Sequence, residues 1–178
     1  MRQEVLPVQK EQVNKKAADL VVHFIDVGQG DSILVQTPAG DNMLVDGGNP
    51  DEAEKVVNYL KSQGVKSLQV LVATHPHADH IGGLPEVIRS FPIEKIYMPK
   101  VVHNSEQFAN LLRIIKEQGL RVKTARAGVA LPLTDMKAVF IAPVNEGYED
   151  LNNYSAVIKM EYGKNAFILA GDAESLSE

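Results

Sequence analysis

Three of the chain's five histidines fall between residues 75 and 80, in the run Thr-His-Pro-His-Ala-Asp-His-Ile-Gly-Gly that spans 74–83. Imidazole and carboxylate at that density form a ligand set for Zn²⁺, and also for Mn²⁺ or Fe. In an extended segment His75, His77 and Asp79 project to one side, because side chains alternate with period two. His80 breaks the alternation and addresses a second point once the chain bends. The cluster can therefore feed two adjacent cations, one through His75 and His77, the other through Asp79 and His80. The chain has no cysteine, which excludes thiolate ligands and disulfides alike. The plain alternative is a His-rich surface loop. Against it stand the continuous apolar run that delivers the cluster and the pair Gly82-Gly83 that lets the backbone turn beneath it.

The elements that must hold this cluster are legible around it. The runs LVVHFIDV, SILVQT and NMLVDGG are short and β-rich, separated by Gly28-Gln29-Gly30-Asp31 and Pro38-Ala39-Gly40-Asp41, and read as adjacent antiparallel strands. Asn49-Pro50-Asp51-Glu52 predicts a helix start, with Asn49 as N-cap, Pro50 in first position and Glu52 closing a capping box. Val56, Val57 and Leu60 give that helix an apolar face, and Gly64 ends it. The run QVLVAT at 69–74 has the character of a strand buried on both faces. A helix is expected after Gly82-Gly83, a strand at 93–98, and a helix over 104–118 with Phe108, Leu111, Leu112 and Ile115 inward. Further strands are expected at 121–125, 137–142, 154–162 and 165–170.

Composition narrows the class. A chain of 178 residues with 44% apolar and 23% charged content suits one globular domain or part of one. The net charge of −5 argues against a broad basic surface for unaided capture of polyanions. No apolar run approaches the ~18 residues of a membrane span. Residues 1–19 are polar, lack the apolar stretch of a secretory signal, and are read as a flexible leader or stalk ahead of a domain over 20–178.

The segment HPHADH resembles the H-x-H-x-D-H signature of the metallo-β-lactamase superfamily, whose fold is an α/β, αββα sandwich with metals at one edge. More narrowly, HFIDVGQGDSILVQTPAGDNMLVDGG, THPHADHIGGL and LAGDAE are similar to the β-lactamase-type domain of the competence (DNA-uptake) protein family ComEC. The resemblance runs from about Val22 to the C-terminus, with its motifs in the family's order. It implies His75, His77, Asp79, His80 and Asp172 as metal ligands, Asp172 bridging the two cations. It also implies that Asp46 orients the site from behind the ligands and that Asp79 steers the attacking water. Asp31 lies in a Gly-rich turn that accounts for it equally well without a site role. His23 and His103 are read as structural or surface residues.

Two features depart from the superfamily's usual pattern. A histidine ligand is usual nineteen residues before the bridging aspartate, and position 153 (172 − 19) is Asn153. An amide oxygen is a weaker ligand for Zn²⁺ than imidazole and more acceptable to Mn²⁺; ComEC-like domains also have Asn there. The family's last histidine, beyond the GDAE segment, has no counterpart before Glu178, so the expected fold is the sandwich with its C-terminal strand–helix unit missing. On that reading a full-length domain holds up to two divalent cations, while this chain holds metal poorly or not at all and could self-associate through an uncovered edge.

The implied chemistry is hydrolysis by metal-activated water, with no covalent nucleophile motif in the sequence. ComEC-like domains are associated with phosphodiester cleavage, so nuclease or phosphodiesterase action on nucleic acid leads. Hydrolysis of a thioester, lactone or β-lactam is the enzymatic alternative. A degenerate module that binds nucleic acid or cell-surface polymer without turnover is the non-enzymatic one. The compartment stays open; the resemblance leans toward the bacterial cell surface or exterior, with any export signal or membrane part outside this chain.

Overall fold

The first third of the chain folds as its turn chemistry requires. β1 (Val21–Phe24), β2 (Ile33–Gln36) and β3 (Asn42–Val45) form an antiparallel meander. This is a computed structural model that describes residues 19–176. The leader expected over 1–19 lies outside the described residues except for Asp19.

From β3 onward the sheet turns parallel. β4 (Val70–Val72), β5 (Ile96–Met98) and β6 (Val122–Thr124) add in chain order, giving a six-stranded sheet β1-β2-β3-β4-β5-β6. Parallel neighbours need crossovers. These are α1 (Ala53–Ser62), the pair α2 (Ala78–Ile81) and α3 (Leu84–Ser90), and α4 (Glu106–Glu117). The helices cover one face of the sheet, burying Leu34, Leu44 and Leu71 against Val56, Leu60, Val87 and Leu111. On the opposite face lies a three-stranded antiparallel sheet of β7 (Lys137–Phe140), β8 (Ile158–Tyr162) and β9 (Asn165–Leu169). Its Phe140, Ile158 and Met160 pack against Val35, Met43, Val70 and Val72. Alternate residues of β4 thus face two different cores, which is why its sequence is apolar throughout. Among the described residues no helix covers the outer face of the small sheet, and none is long and apolar enough to cross a membrane.

Two local expectations are corrected. The predicted capping box does not form: residues Pro50–Glu52 make a 3₁₀ turn, Asn49 gives no side-chain cap, and its amide instead points to the Gln29 carbonyl at 3.5 Å. Glu52 pairs with Lys55 at 3.2 Å. On α4 the buried face is Phe108, Leu111, Ile114 and Ile115, while Leu112 is exposed. The helix starts two residues later than predicted, because the Ser105 hydroxyl accepts from the Phe108 N–H at 3.2 Å and fixes the first turn there.

The parallel pairing sets the stage for chemistry. β3 and β4 end at the same edge of the sheet, so Asp46 and the segment from Thr74 emerge side by side. The carboxyl edge of such a sheet is where side chains from successive strands can converge on one point.

Candidate metal centre

Asp46 is the buried pivot of the site. It leaves β3 with φ of 58°, a left-handed conformation that Asp tolerates better than most residues, and its side chain is fully buried. Its Oδ1 accepts from the Thr74 backbone N–H at 2.8 Å, and its Oδ2 accepts from the Thr74 hydroxyl at 2.6 Å. The same Oδ2 lies 2.8 Å from His80 Nδ1. Since Thr74 spends its one proton on Asp46, its oxygen must accept from His75 Nδ1, 3.0 Å away. Both His75 and His80 therefore keep Nδ1 protonated and turn Nε2 outward, His75 already in the neutral Nδ1–H form and His80 reaching it once its Nε2 proton leaves. That is the tautomer a metal-ligating imidazole needs, and a carboxylate behind the ring fixes it.

The histidines converge as the sequence predicts, by a different backbone path. The extended alternation stops at His77, and Ala78–Ile81 forms one helical turn, so Asp79 and His80 are placed by helix geometry. His75 Nε2 and His77 Nδ1 come within 3.0 Å of each other. His80 is buried, and its Nε2 has no hydrogen-bond partner among the described residues.

Asp172 arrives from the other sheet, on the turn after β9. Gly171 makes this possible: its φ is 53°, and a Cβ there would sit 3.1 Å from the Thr74 hydroxyl. One Asp172 oxygen, Oδ1, lies 3.2 Å from His80 Nε2, and the other, Oδ2, lies 3.8 Å from His75 Nε2. A single carboxylate spans both histidines. Ligand atoms of His75, His77 and Asp172 lie within 4.8 Å of one another, and so do those of Asp31, His80 and Asp172.

Asp31 is the residue that sequence reasoning left undecided. Its backbone carbonyl accepts from Gly48 N–H at 2.9 Å, pinning the 28–31 turn to the loop after Asp46. The turn comes that close because Gly30, with φ of 88°, has no side chain; a Cβ there would overlap the Asp79 carbonyl. Asp79, expected to share a cation with His80, instead has Oδ2 accepting from the Gln29 amide at 3.2 Å and belongs to neither convergent group. The Gln-Gly-Asp turn in the sequence was the only signal for Asp31, and turns of that kind are common without a ligand.

Asn153 is buried on a 3₁₀ turn, Leu151–Tyr154, and its Oδ1 has no hydrogen-bond partner among the described residues. His23 is structural as read, bonded to Tyr59 at 3.1 Å and Gln36 at 3.2 Å. His103 sits edge-on to the Phe108 ring, away from the cluster.

The electrostatics follow from this packing. Burial, together with the charges of His80 and His77, pulls His75 down to about 3, so its ring is neutral at pH 7. Burial also pulls on His80, but the hydrogen bond and charge of Asp46 outweigh it and raise His80 to about 9. Burial pushes Asp46 upward too; His80 and the two Thr74 donors oppose this, and with every neighbour donating we take the pair as carboxylate and imidazolium. Burial raises Asp31 as well, and Asp172 and Asp79 add to the rise against the opposing charge of His80. For Asp79 burial is outweighed by the Gln29 hydrogen bond and His80, and its carboxyl is held below the usual range.

These residues fit divalent cations. Outward imidazole nitrogens, a carboxylate spanning them, and a buried Asn153 Oδ1 without a hydrogen-bond partner among the described residues are the donors such ions use, and the gathered carboxylates need positive charge among them.

Comparison with known proteins agrees with the geometry. The family described as the metallo-beta-lactamase superfamily matches residues 25–177. The chain is 28% identical over 174 residues to ComE operon protein 3 of Bacillus subtilis, covering 88% of this chain and 22% of that protein. It is 27% identical over 166 residues to Recombination protein 2 of Haemophilus influenzae, covering 88% of this chain and 19% of that one. The chain thus spans about a fifth of the length of these curated relatives. Among solved structures, a Cronobacter sakazakii metallo-beta-lactamase with an HARLDQ motif superposes with a TM-score of 0.61 at 16% identity, covering 86% of this chain and 61% of that one.

Proposed function

The chain belongs to the metallo-β-lactamase superfamily, whose fold serves metal-dependent hydrolysis, and from that premise we propose that it is a divalent-metal-dependent phosphodiesterase acting on nucleic acid. The observation that carries this is Asp172, whose two oxygens face His75 and His80. A carboxylate so placed would hold two cations a few Å apart, the arrangement suited to a phosphoryl centre. The name of one relative, a recombination protein, supports nucleic acid as the substrate class.

His75, His77 and Asp172 would hold one cation, with Asn153 as a further oxygen donor; His80, Asp31 and Asp172 would hold the other. Bound there, the cations would lower the pKa of a coordinated water toward about 7 and draw negative charge from the phosphate under attack. Asp46 keeps Nδ1 of both rings protonated, directly at His80 and through Thr74 at His75, so that Nε2 is the atom each ring would offer to a cation. Asp79 is ionised at neutral pH and lies at the rim, where it would accept a hydrogen bond from the attacking water and align it.

The 178-residue chain with Mn²⁺ or Zn²⁺ should cleave single-stranded DNA and bis-p-nitrophenyl phosphate, and Asp172→Asn should slow both by about 10–100-fold. Cleavage of a thioester with every phosphodiester left intact would transfer the assignment to acyl hydrolysis. Binding of DNA without turnover of either substrate would make it a binding module.

A further inference from the structure

The turn that carries Asp172 also carries Glu174, two residues on. The Glu174 carboxylate reaches the amide nitrogens of two consecutive asparagines, Asn152 Nδ2 at 3.2 Å and Asn153 Nδ2 at 3.4 Å. A carboxylate only accepts, so each amide must turn its NH₂ edge toward Glu174 and its carbonyl away. Both carbonyl oxygens, Asn152 Oδ1 and Asn153 Oδ1, are buried without a hydrogen-bond partner among the described residues. A buried, unpaired carbonyl is destabilising by about 1–3 kcal/mol unless something else uses it.

The neighbours of Asn153 tie it to the His75 side of the site. Ser155, two residues on, has its hydroxyl 3.4 Å from His75 Nδ1, and the Ala156 N–H donates to the Thr74 carbonyl at 3.0 Å. On the other side, Asp172 precedes Glu174 by two residues and reaches His75 Nε2 at 3.8 Å. The segment that contains Asn153 and the turn that holds its amide both touch the same histidine.

We propose that Glu174 is a positioning residue: it locks the Asn153 amide so that Oδ1, and never the NH₂ edge, is offered to a cation held by His75, His77 and Asp172. An amide needs such a lock. Rotated by half a turn, it would point two N–H donors at a cation. A carboxylate at 153 would need none, since either oxygen can ligate. The inference rests on the metal-centre reading above and concerns affinity, independent of the substrate.

The test is a four-protein cycle read by calorimetric titration with Mn²⁺: wild type, Glu174→Ala, Asn153→Asp, and the double variant. Glu174→Ala alone should weaken the His75–His77 cation by about 10–100-fold, with the far-ultraviolet circular dichroism unchanged because Glu174 is exposed. In the Asn153→Asp background two carboxylates face each other, so removing Glu174 should strengthen binding. That reversal of sign is specific to positioning, since a merely structural role weakens binding in both backgrounds. Equal affinity of wild type and Glu174→Ala, or the same sign in both backgrounds, overturns the proposal. A wild type that takes up no metal overturns the metal centre itself, and the Glu174 assignment with it.

Discussion

Asp46 Oδ2 stands 2.8 Å from His80 Nδ1 and 2.6 Å from the Thr74 hydroxyl that in turn contacts His75 Nδ1 at 3.0 Å. One buried carboxylate therefore sets the proton position on two candidate ligands that lie five residues apart in the chain. The relationship depends on Asp46 leaving its strand in a left-handed conformation, and on β3 and β4 being parallel, so that their ends meet.

Asp46→Asn tests this control directly. Asn tolerates the left-handed backbone and can still accept from the Thr74 N–H, so the fold should persist. Its NH₂ edge would donate to His80 Nδ1 and drive that ring's proton onto Nε2, the ligating atom. We expect metal affinity to fall about 10–100-fold by calorimetry, with a native circular dichroism spectrum. Unchanged affinity would remove Asp46 from the account.

The identity of the second site's carboxylate is separable. Asp31→Asn should abolish binding of one cation, because Asp31 shares that group with His80 and Asp172. Asp79→Asn should retain both cations and lower turnover, since Asp79 is held by Gln29 at the rim. Elemental analysis of the two purified variants distinguishes them, and metal loss in the Asp79 variant alone would reverse the assignment.

Metal uptake should release a proton from the site. In the metal-free protein His80 is raised to about 9 and so carries two ring protons at pH 7, of which the one on Nε2 must leave before the ring can ligate. Affinity for the cation at His80 should accordingly rise by roughly tenfold per pH unit up to about pH 9 and then level off. Titration at pH 7 in buffers of different ionisation enthalpy should report about one proton released from His80 per cation bound there. His75, pulled down to about 3, should contribute none.

Much of this was legible in the sequence, for identifiable reasons. The histidine cluster and the strands around it follow from residue type and period, which are local properties. Asp31 was not legible, because its role depends on the 28–31 turn folding onto the loop after Asp46, a contact between segments that spacing does not report. The failed capping box has a similar origin: the Asn49 side chain is drawn to the Gln29 carbonyl by that same turn. Leu112 and Ile114 exchange places because α4 packs on α3 and α2, and the contact, more than the amphipathic pattern, sets which flank of the apolar stripe is covered.

Gly30 should be intolerant of any side chain. Gly30→Ala combines a left-handed backbone with an overlap on the Asp79 carbonyl. The backbone strain alone is about 1–3 kcal/mol, so the urea midpoint should drop, and displaced Asp31 should release the His80 cation. Gly40→Ala, also left-handed with open space around it, is the matched control: it should show the strain without the metal loss.

The count of divalent cations bound per chain tests the central claim most directly. The sequence alone leaves the second cation one imidazole short; because the fold brings Asp31 into that group, the wild-type chain, titrated with Mn²⁺ and read by calorimetry beside elemental analysis, should bind two, and Asp172→Asn at most one, because its loss weakens both groups at once. A wild type saturating at one cation, or an Asp172→Asn variant that keeps two at full affinity, would contradict the bridged centre.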